Sequence, residues 1–175
     1  GMGGHLQTTP VKAPGYGELA FALPKVGSYE RPRISVAENG KVVQSDGSET
    51  TLHALMNGKV TVLSFIFTSC GDVNGCPLAS YVLNRLMQRV SEDARLSEKI
   101  QLLSLSFDRA NDSPAALRKY AAQFGAEKNP RWTFLTTPSD DDLAGILKNY
   151  NQFVIQDVNE QGEPIASFSH LLRVY

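Results

Sequence analysis

The sequence is short of cysteine, of histidine and of charge of either sign. It holds two cysteines and three histidines in 175 residues, with a formal net charge of -1. A chain so close to neutral offers no broad basic surface for nucleic acid, and two cysteines are too few to hold a chain of this size together as a disulfide scaffold. No apolar run approaches the roughly 20 residues of a membrane-spanning helix. The remaining class is a globular domain of ordinary composition, with 42% apolar residues.

The first 28 residues are rich in glycine and proline and lack periodicity. They predict an extended, partly disordered lead-in, and residues 29–175 are expected to form the domain. The start, Gly1 to Gly4, does not resemble a natural beginning, so a signal peptide or membrane anchor is compatible with this chain but not visible in it. Asn39-Gly40 and Asp46-Gly47 are both typical of hairpin turns, which predicts an N-terminal β-hairpin before residue 51.

Three apolar strands alternate with amphipathic helical stretches in the rest of the chain. Residues 60–67 are apolar on both faces, as a central strand covered by helices requires, and strands are predicted again at 100–107 and 132–135. Ser113 and Ser139 are expected to cap two of the helices, and a hairpin is expected around Gln161-Gly162. This order predicts an α/β fold with a central sheet flanked by helices.

The helix faces can be predicted from apolar spacing. In the helix opened by Pro77, the buried face is predicted to comprise Ala79, Val82, Leu83, Leu86 and Val90. Three aromatic residues are assigned to the core: Tyr120, Phe124 and Trp132.

The two cysteines stand in an informative place. Cys70 and Cys76 flank a polar loop between the apolar strand 60–67 and the helix opened by Pro77, and Gly71 and Gly75 would let that loop fold back. Backbone N–H groups at a helix start favour a thiolate, and two nearby thiolates can close a disulfide or bind a soft ion such as Cu(I). A functional pair is favoured over a purely structural disulfide, which remains the alternative.

Four ordered motifs resemble the Sco/SenC family, which comprises thioredoxin-fold copper chaperones and thiol-disulfide proteins linked to assembly of the CuA centre of cytochrome c oxidase. The resemblance covers about residues 42–175. Its motifs are Phe-Ile-Phe-Thr-Ser-Cys at 65–70 continuing to Cys76-Pro77, Ser104 and Phe107-Asp108 with Asp112-Ser113-Pro114, Trp-Thr-Phe-Leu-Thr at 132–136, and Phe168-Ser169-His170 followed by Tyr175.

The resemblance implies a thioredoxin-like three-layer fold with a central mixed sheet and an N-terminal β-hairpin. It also implies copper, as Cu(I) or Cu(II), held by Cys70, Cys76 and His170, because position 170 matches the family's histidine ligand. Asp108 is expected at the sheet edge that carries the cysteine loop. Two interpretations of it stay open: it tunes the thiols or engages a partner, or it caps the turn that follows.

The sequence departs from the family pattern in three places. Five residues separate the cysteines instead of the usual three, Asn111 stands where the family has arginine, and the sequence stops at Tyr175, where the family continues. The resemblance implies a partner that is a cytochrome c oxidase subunit or another copper or thiol protein, and a location in the periplasm or on a membrane facing it. No nucleic acid or small-molecule substrate is expected. The alternative function is a thiol-disulfide oxidoreductase that uses Cys70 and Cys76 alone.

Overall fold

The computed structural model describes residues 35–69, 76–172 and 174–175. The predicted lead-in and its boundary at residue 29 lie outside these residues. The described elements are the strands β1 (Lys41–Gln44), β2 (Glu49–Thr51), β3 (Val60–Ile66), β4 (Ile100–Ser106), β5 (Trp132–Thr136), β6 (Phe153–Val158) and β7 (Pro164–Leu171), and the helices α1 (Leu52–Met56), α2 (Cys76–Glu92), α3 (Ala94–Ser97), α4 (Pro114–Ala122) and α5 (Asp140–Asn149).

Five strands form one mixed sheet in the order β2-β1-β5-β4-β3. β3 and β4 run parallel from Val60 opposite Ile100 to Ile66 opposite Ser106, and β5 lies parallel to β4. β1 is antiparallel to both of its neighbours. The three predicted strands thus share one sheet, and the predicted mixed α/β architecture is confirmed. The predicted final hairpin is also confirmed, because β6 and β7 pair antiparallel.

The prediction that residues 60–67 form a central strand holds for the covering of its two faces but not for its place among the described strands. β3 lies at one end of the strand order, and in the described residues only Tyr175 pairs beyond it, through two backbone hydrogen bonds with Leu63. Val60 is 63% exposed, whereas Leu63 through Phe67 are buried. A strand whose two faces are both covered has the same apolar pattern at an edge as in the centre, so the pattern reports coverage and not position in the sheet.

Two hydrophobic cores lie on the two faces of the sheet, which gives the three predicted layers. On one face, α1, α5 and the β6–β7 hairpin contribute Leu52, Ile146, Tyr150, Val154 and Phe168. On the other, α2 and α4 contribute Leu83, Met87, Leu117, Tyr120 and Ala121. Alternate residues of β3 and β4 supply both cores, because successive side chains of a strand point to opposite faces. Of the predicted core aromatics, Tyr120 and Trp132 are buried in the second core, and the partly buried Phe124 packs against it.

The predicted buried face of α2 was partly wrong. Val82 is 57% and Leu86 42% exposed, and Ala79 is exposed as well. Apolar residues occur on more than one side of this helix, so spacing alone did not identify the inner one. The side that packs on the sheet contains a serine, and its residues are Ser80, Leu83, Met87 and Val90.

One of the two predicted hairpin turns is a helix cap instead. Gly47 has φ 87 and connects β1 to β2 as predicted. Asn39-Gly40 makes no hairpin: the Asn39 side chain accepts a hydrogen bond from the His53 N–H at 3.0 Å, and the Gly40 carbonyl accepts one from Leu52 at 2.9 Å. These contacts satisfy amide groups in the first turn of α1.

Gly40 also permits a close approach of α5 to the N-terminal segment. A Cβ at this position would lie 2.6 Å from Cδ1 of the buried Ile146. Gly40→Ala is therefore expected to lower the free energy of unfolding by about 1–3 kcal/mol, the usual cost of overpacking a core. Urea denaturation measures this change. Gly145→Ala is the control, since nothing lies within 4 Å of a Cβ there, and a helical glycine replaced by alanine should gain about 0.5–1 kcal/mol. Equal effects would contradict the steric explanation.

Tyr150 should make the stability of the fold sensitive to alkaline pH. Its hydroxyl donates to the Glu38 carbonyl at 2.7 Å. Burial, and secondarily the Glu38 charge, raise the pKa of Tyr150 above its ordinary value. A phenol that ionises less readily when folded contributes stability that is complete below its unfolded pKa, about 10, and is lost as the pH rises further.

Tyr150→Phe removes this contribution together with the hydrogen bond, which is worth about 0.5–1.5 kcal/mol. The stability difference between the natural chain and the variant should therefore be largest near pH 8 and should shrink above about pH 10. Urea denaturation at both pH values measures it. A difference that stays constant with pH would contradict the assignment.

Candidate functional site

The structure describes the two flanks of the cysteine loop. β3 ends at Ile66, and α2 begins at Cys76. Cys70 and the side chains of Cys76 and His170 lie outside the described part of the structure. Within that part, no group of three His, Cys, Asp or Glu side chains could hold a metal ion. The predicted ligand set Cys70, Cys76 and His170 therefore stays a prediction.

The loop leaves the carboxyl edge of the parallel strands, where ligand sites of such sheets gather. Ile66 lies opposite Ser106 in the ladder, and the Phe107 N–H donates to the Ile66 carbonyl at 3.0 Å. Asp108 follows at the end of β4. Asp108 therefore lies at the edge of the sheet where β3 ends.

Asp108 is buried and caps the turn that follows it. Its carboxylate accepts hydrogen bonds from the Asn111 side-chain amide at 3.0 Å and from the Asn111 backbone N–H at 3.4 Å. These contacts support the capping interpretation. A role of Asp108 toward the thiols stays a prediction.

Asp112 is the residue that sequence reasoning missed. It is fully buried, and its carboxylate accepts hydrogen bonds from the Thr68 N–H at 3.0 Å, from the Thr68 hydroxyl and from the Ser106 hydroxyl at 2.5 Å. Asp112 thereby joins the start of the cysteine loop to the end of β4. The sequence offered one signal for Asp112. Ser113 is itself the N-cap of α4, so the aspartate directly before it was not needed as a cap.

A second buried contact lies just beyond the loop. The hydroxyls of Ser80 and Tyr120 share a hydrogen bond of 2.7 Å, and both residues are buried between α2 and α4. This pair explains why a serine occupies the inner face of α2, since a buried hydroxyl requires a partner.

The final hairpin reaches the same edge of the sheet. The Phe168 ring lies 5.0 Å from that of Phe67 and 5.3 Å from that of Phe107, measured between centroids. Phe67 precedes Cys70 by three residues, and Phe168 precedes His170 by two. The backbone register places position 170 opposite Val154, which packs on the same core as Phe168. The residues that precede Cys70 and His170 in sequence are thus neighbours in space.

Arg109 joins two of the loops at this edge. Its guanidinium donates to the carbonyls of Thr137 at 3.0 Å and Pro138 at 2.9 Å, and to the carboxylate of Asp140 at 2.7 Å. The loop after β4 is therefore bound to the loop after β5. The guanidinium of Arg109 is thus already bound by these three partners.

No described helix combines the length and apolar character that crossing a bilayer requires.

Comparison with known proteins shows which family this chain is similar to. The sequence profile of the SCO1/SenC family matches residues 31–175. A SCO1 protein homolog of Bacillus subtilis is 29% identical over 110 residues, which are 62% of this chain and 53% of the relative. The chain therefore matches about half the length of that relative.

Solved structures show the same fold. Copper-bound ScoI of Arabidopsis thaliana superposes with a TM-score of 0.65 at 22% identity, covering 81% of this chain and 80% of that one. A SCO1/SenC family lipoprotein of Bacillus anthracis superposes with a TM-score of 0.60 at 26% identity, covering 79% and 82%. The predicted thioredoxin-like fold is confirmed. Because the family profile spans most of the sequence and the fold agrees with it, the chain belongs to the SCO1/SenC family.

Proposed function

We propose that this chain binds copper through Cys70, Cys76 and His170 and passes it to a partner protein. Membership of the family supports the proposal, as does a relative of the same fold that was crystallised with copper. The observation that carries it is the contact between Phe67 and Phe168 at 5.0 Å. That contact joins the segment leading into the cysteine loop to the strand that contains His170.

Few residues separate this contact from Cys70 and from His170, so the two can belong to one ligand set. Three extended residues span at most about 10 Å, so Cys70 stays within that reach of Phe67. His170 lies still nearer to Phe168 along β7. Cys76 is held by the start of α2. A loop that folds back between Cys70 and Cys76 can therefore bring two sulfurs toward the imidazole.

The donor set suits copper. Thiolates are soft ligands that select Cu(I), and imidazole binds both Cu(I) and Cu(II). Copper in this role is cargo: an incoming ligand of the partner replaces one ligand of the carrier at a time, so the ion is never released to water. We propose as the recipient a cytochrome c oxidase subunit that contains the CuA centre, or another copper or thiol protein.

The proposed location is the periplasm, with the chain either free or anchored to the membrane that borders it. A lipoprotein among the relatives supports an anchor. An oxidising compartment also gives a reason to keep a pair of cysteines whose redox state decides copper binding.

Titration of the reduced chain with Cu(I), against a chelator of known affinity, tests the proposal. One equivalent of copper is expected to bind. The loaded chain, mixed with a copper-free CuA domain and separated again, should have lost copper to that domain. Failure to compete with the chelator would overturn copper binding, and binding without transfer would overturn the proposed recipient.

The second candidate function is thiol-disulfide exchange by Cys70 and Cys76. The observation that favours it is the start of α2 at Cys76, a position where helix N–H groups stabilise a thiolate. An oxidoreductase would reduce a small disulfide in the absence of metal while its own two thiols become a disulfide, which dithiothreitol would reduce again, with a rate that does not depend on His170.

A further inference from the structure

The two residues that flank the cysteine segment, residues 69–79, hydrogen-bond to α4 or to the residue just before its N-cap. Thr68 directly precedes the segment and hydrogen-bonds to Asp112, which lies just before α4. Ser80 directly follows the segment and hydrogen-bonds to Tyr120, which lies within α4. The residues that flank the two cysteines thus share one support.

The first contact fixes backbone as well as side chain. Asp112 is fully buried, and a buried carboxylate needs several donors to remain in place. Thr68 supplies two of them, its backbone N–H and its hydroxyl, and Ser106 supplies the third. Because one donor is a peptide N–H, the course of the chain at Thr68 is tied to Asp112 and not merely its rotamer.

The second contact is equally constrained. The Tyr120 ring packs 5.1 Å from the Phe124 ring and 6.0 Å from that of Phe134, so its hydroxyl occupies a fixed place. Ser80 and Tyr120 are both buried, which excludes water as an easy substitute partner. The first turns of α2 are therefore anchored to the same helix.

A helix of fixed length holds its contacts at a fixed separation. From its N-cap Ser113 to Tyr120, α4 rises about 10 Å. Asp112, next to that N-cap, and Tyr120 bind Thr68 and Ser80 at the two ends of this rise. A longer loop between the cysteines needs such a support more than a short one does, because loop entropy grows with length.

We infer that α4 positions the two sulfurs through Asp112 and Tyr120, which are positioning residues of the cysteine pair. They act by raising the effective concentration of one thiol at the other. The inference rests on the proposed use of Cys70 and Cys76 as a functional pair. It is tested without copper, so that its failure can be told from that of the proposed function.

The experiment equilibrates the chain with reduced and oxidised dithiothreitol. Two thiols of the chain become one disulfide, while oxidised dithiothreitol takes up the two protons and two electrons and becomes the dithiol. Asp112→Ala should lower the effective concentration of the thiols about tenfold, which raises the midpoint potential of the pair by about 30 mV. Tyr120→Phe, which removes only a hydroxyl, should shift the potential in the same direction.

The control is Ser113→Ala, which removes the cap that accepts from the Ala116 N–H at 3.2 Å but touches neither Thr68 nor Ser80. It should destabilise α4 and leave the potential unchanged. Asp112→Asn keeps an acceptor for the Thr68 N–H, so its potential should lie at least halfway back from that of Asp112→Ala to that of the natural chain. This variant also serves if Asp112→Ala does not fold.

Each outcome decides something. Potentials of Asp112→Ala and Tyr120→Phe equal to that of Ser113→Ala would overturn the inference, as would a natural chain that forms no disulfide at all. A shifted potential in a chain that binds no copper would support the inference and overturn copper carriage. Unshifted potentials in a chain that binds copper tightly would overturn the inference and support copper carriage.

Discussion

Replacing Cys70 and Cys76 together with serine is expected to abolish Cu(I) binding by the reduced chain. A serine hydroxyl keeps its proton at neutral pH and is a hard oxygen donor, whereas Cu(I) selects thiolates. Loss of even an outer partner of a metal ligand costs about 10–100-fold in affinity, so loss of two ligands should exceed 100-fold. Competition with a chelator measures the change.

The single variants show whether the sulfurs act together. Cys70→Ser and Cys76→Ser should each weaken binding nearly as much as the double variant, because one remaining thiolate no longer closes the site. Unfolding by urea under reducing conditions should be almost unchanged in all three, which separates lost ligands from lost fold. If one single variant bound copper as tightly as the natural chain, the two-sulfur site would be refuted.

His170→Ala is expected to weaken Cu(I) binding by at least about tenfold while leaving thiol-disulfide exchange nearly unchanged. The imidazole is the third proposed ligand and takes no part in exchange between sulfurs. β7 should persist, because residue 170 contributes to the ladder through its backbone opposite Val154. Chelator competition and the rate of reduction of a small disulfide give the two readouts.

His53→Ala is the matched control. The His53 ring lies at the surface, 2.7 Å from the Ala37 carbonyl, on the helix α1. This variant should bind copper like the natural chain. This comparison distinguishes the two functions. If the chain is an oxidoreductase, neither histidine variant should change the affinity for Cu(I). If it is a copper carrier, His170→Ala alone should lower that affinity. Equal losses in both variants would point to adsorption of copper by any imidazole.

The secondary structure was readable from the sequence where local chemistry determines it. Ser113 and Ser139 cap α4 and α5 as predicted, because a serine side chain before a helix accepts from its first free N–H groups. Gly47 and Gly162 lie at turns with positive φ, a conformation that glycine adopts without strain. Alternation of strands and helices was enough to predict the α/β fold.

The local environment of single residues was less readable. The spacing of apolar residues in α2 did not identify its inner face, since Val82 and Leu86 are as apolar as Leu83. Asn39 and Gly40 have the chemistry of a hairpin turn, but they cap α1 because Leu52 and His53 lie close enough to bond to them. In both cases the deciding partner is distant in sequence.

By itself the sequence determined the fold class, the family and the place of the two cysteines between a strand and a helix. Only the tertiary structure decided that β3 is the last of the described strands in the sheet order, that Phe168 contacts Phe67, and that Asp112 and Tyr120 bind the residues on either side of the cysteine segment. The physical reason is the separation along the chain of the residues that interact. Caps, turns and periodicity act over a few residues, whereas the contact between Thr68 and Asp112 spans 44 positions and that between Ser80 and Tyr120 spans 40.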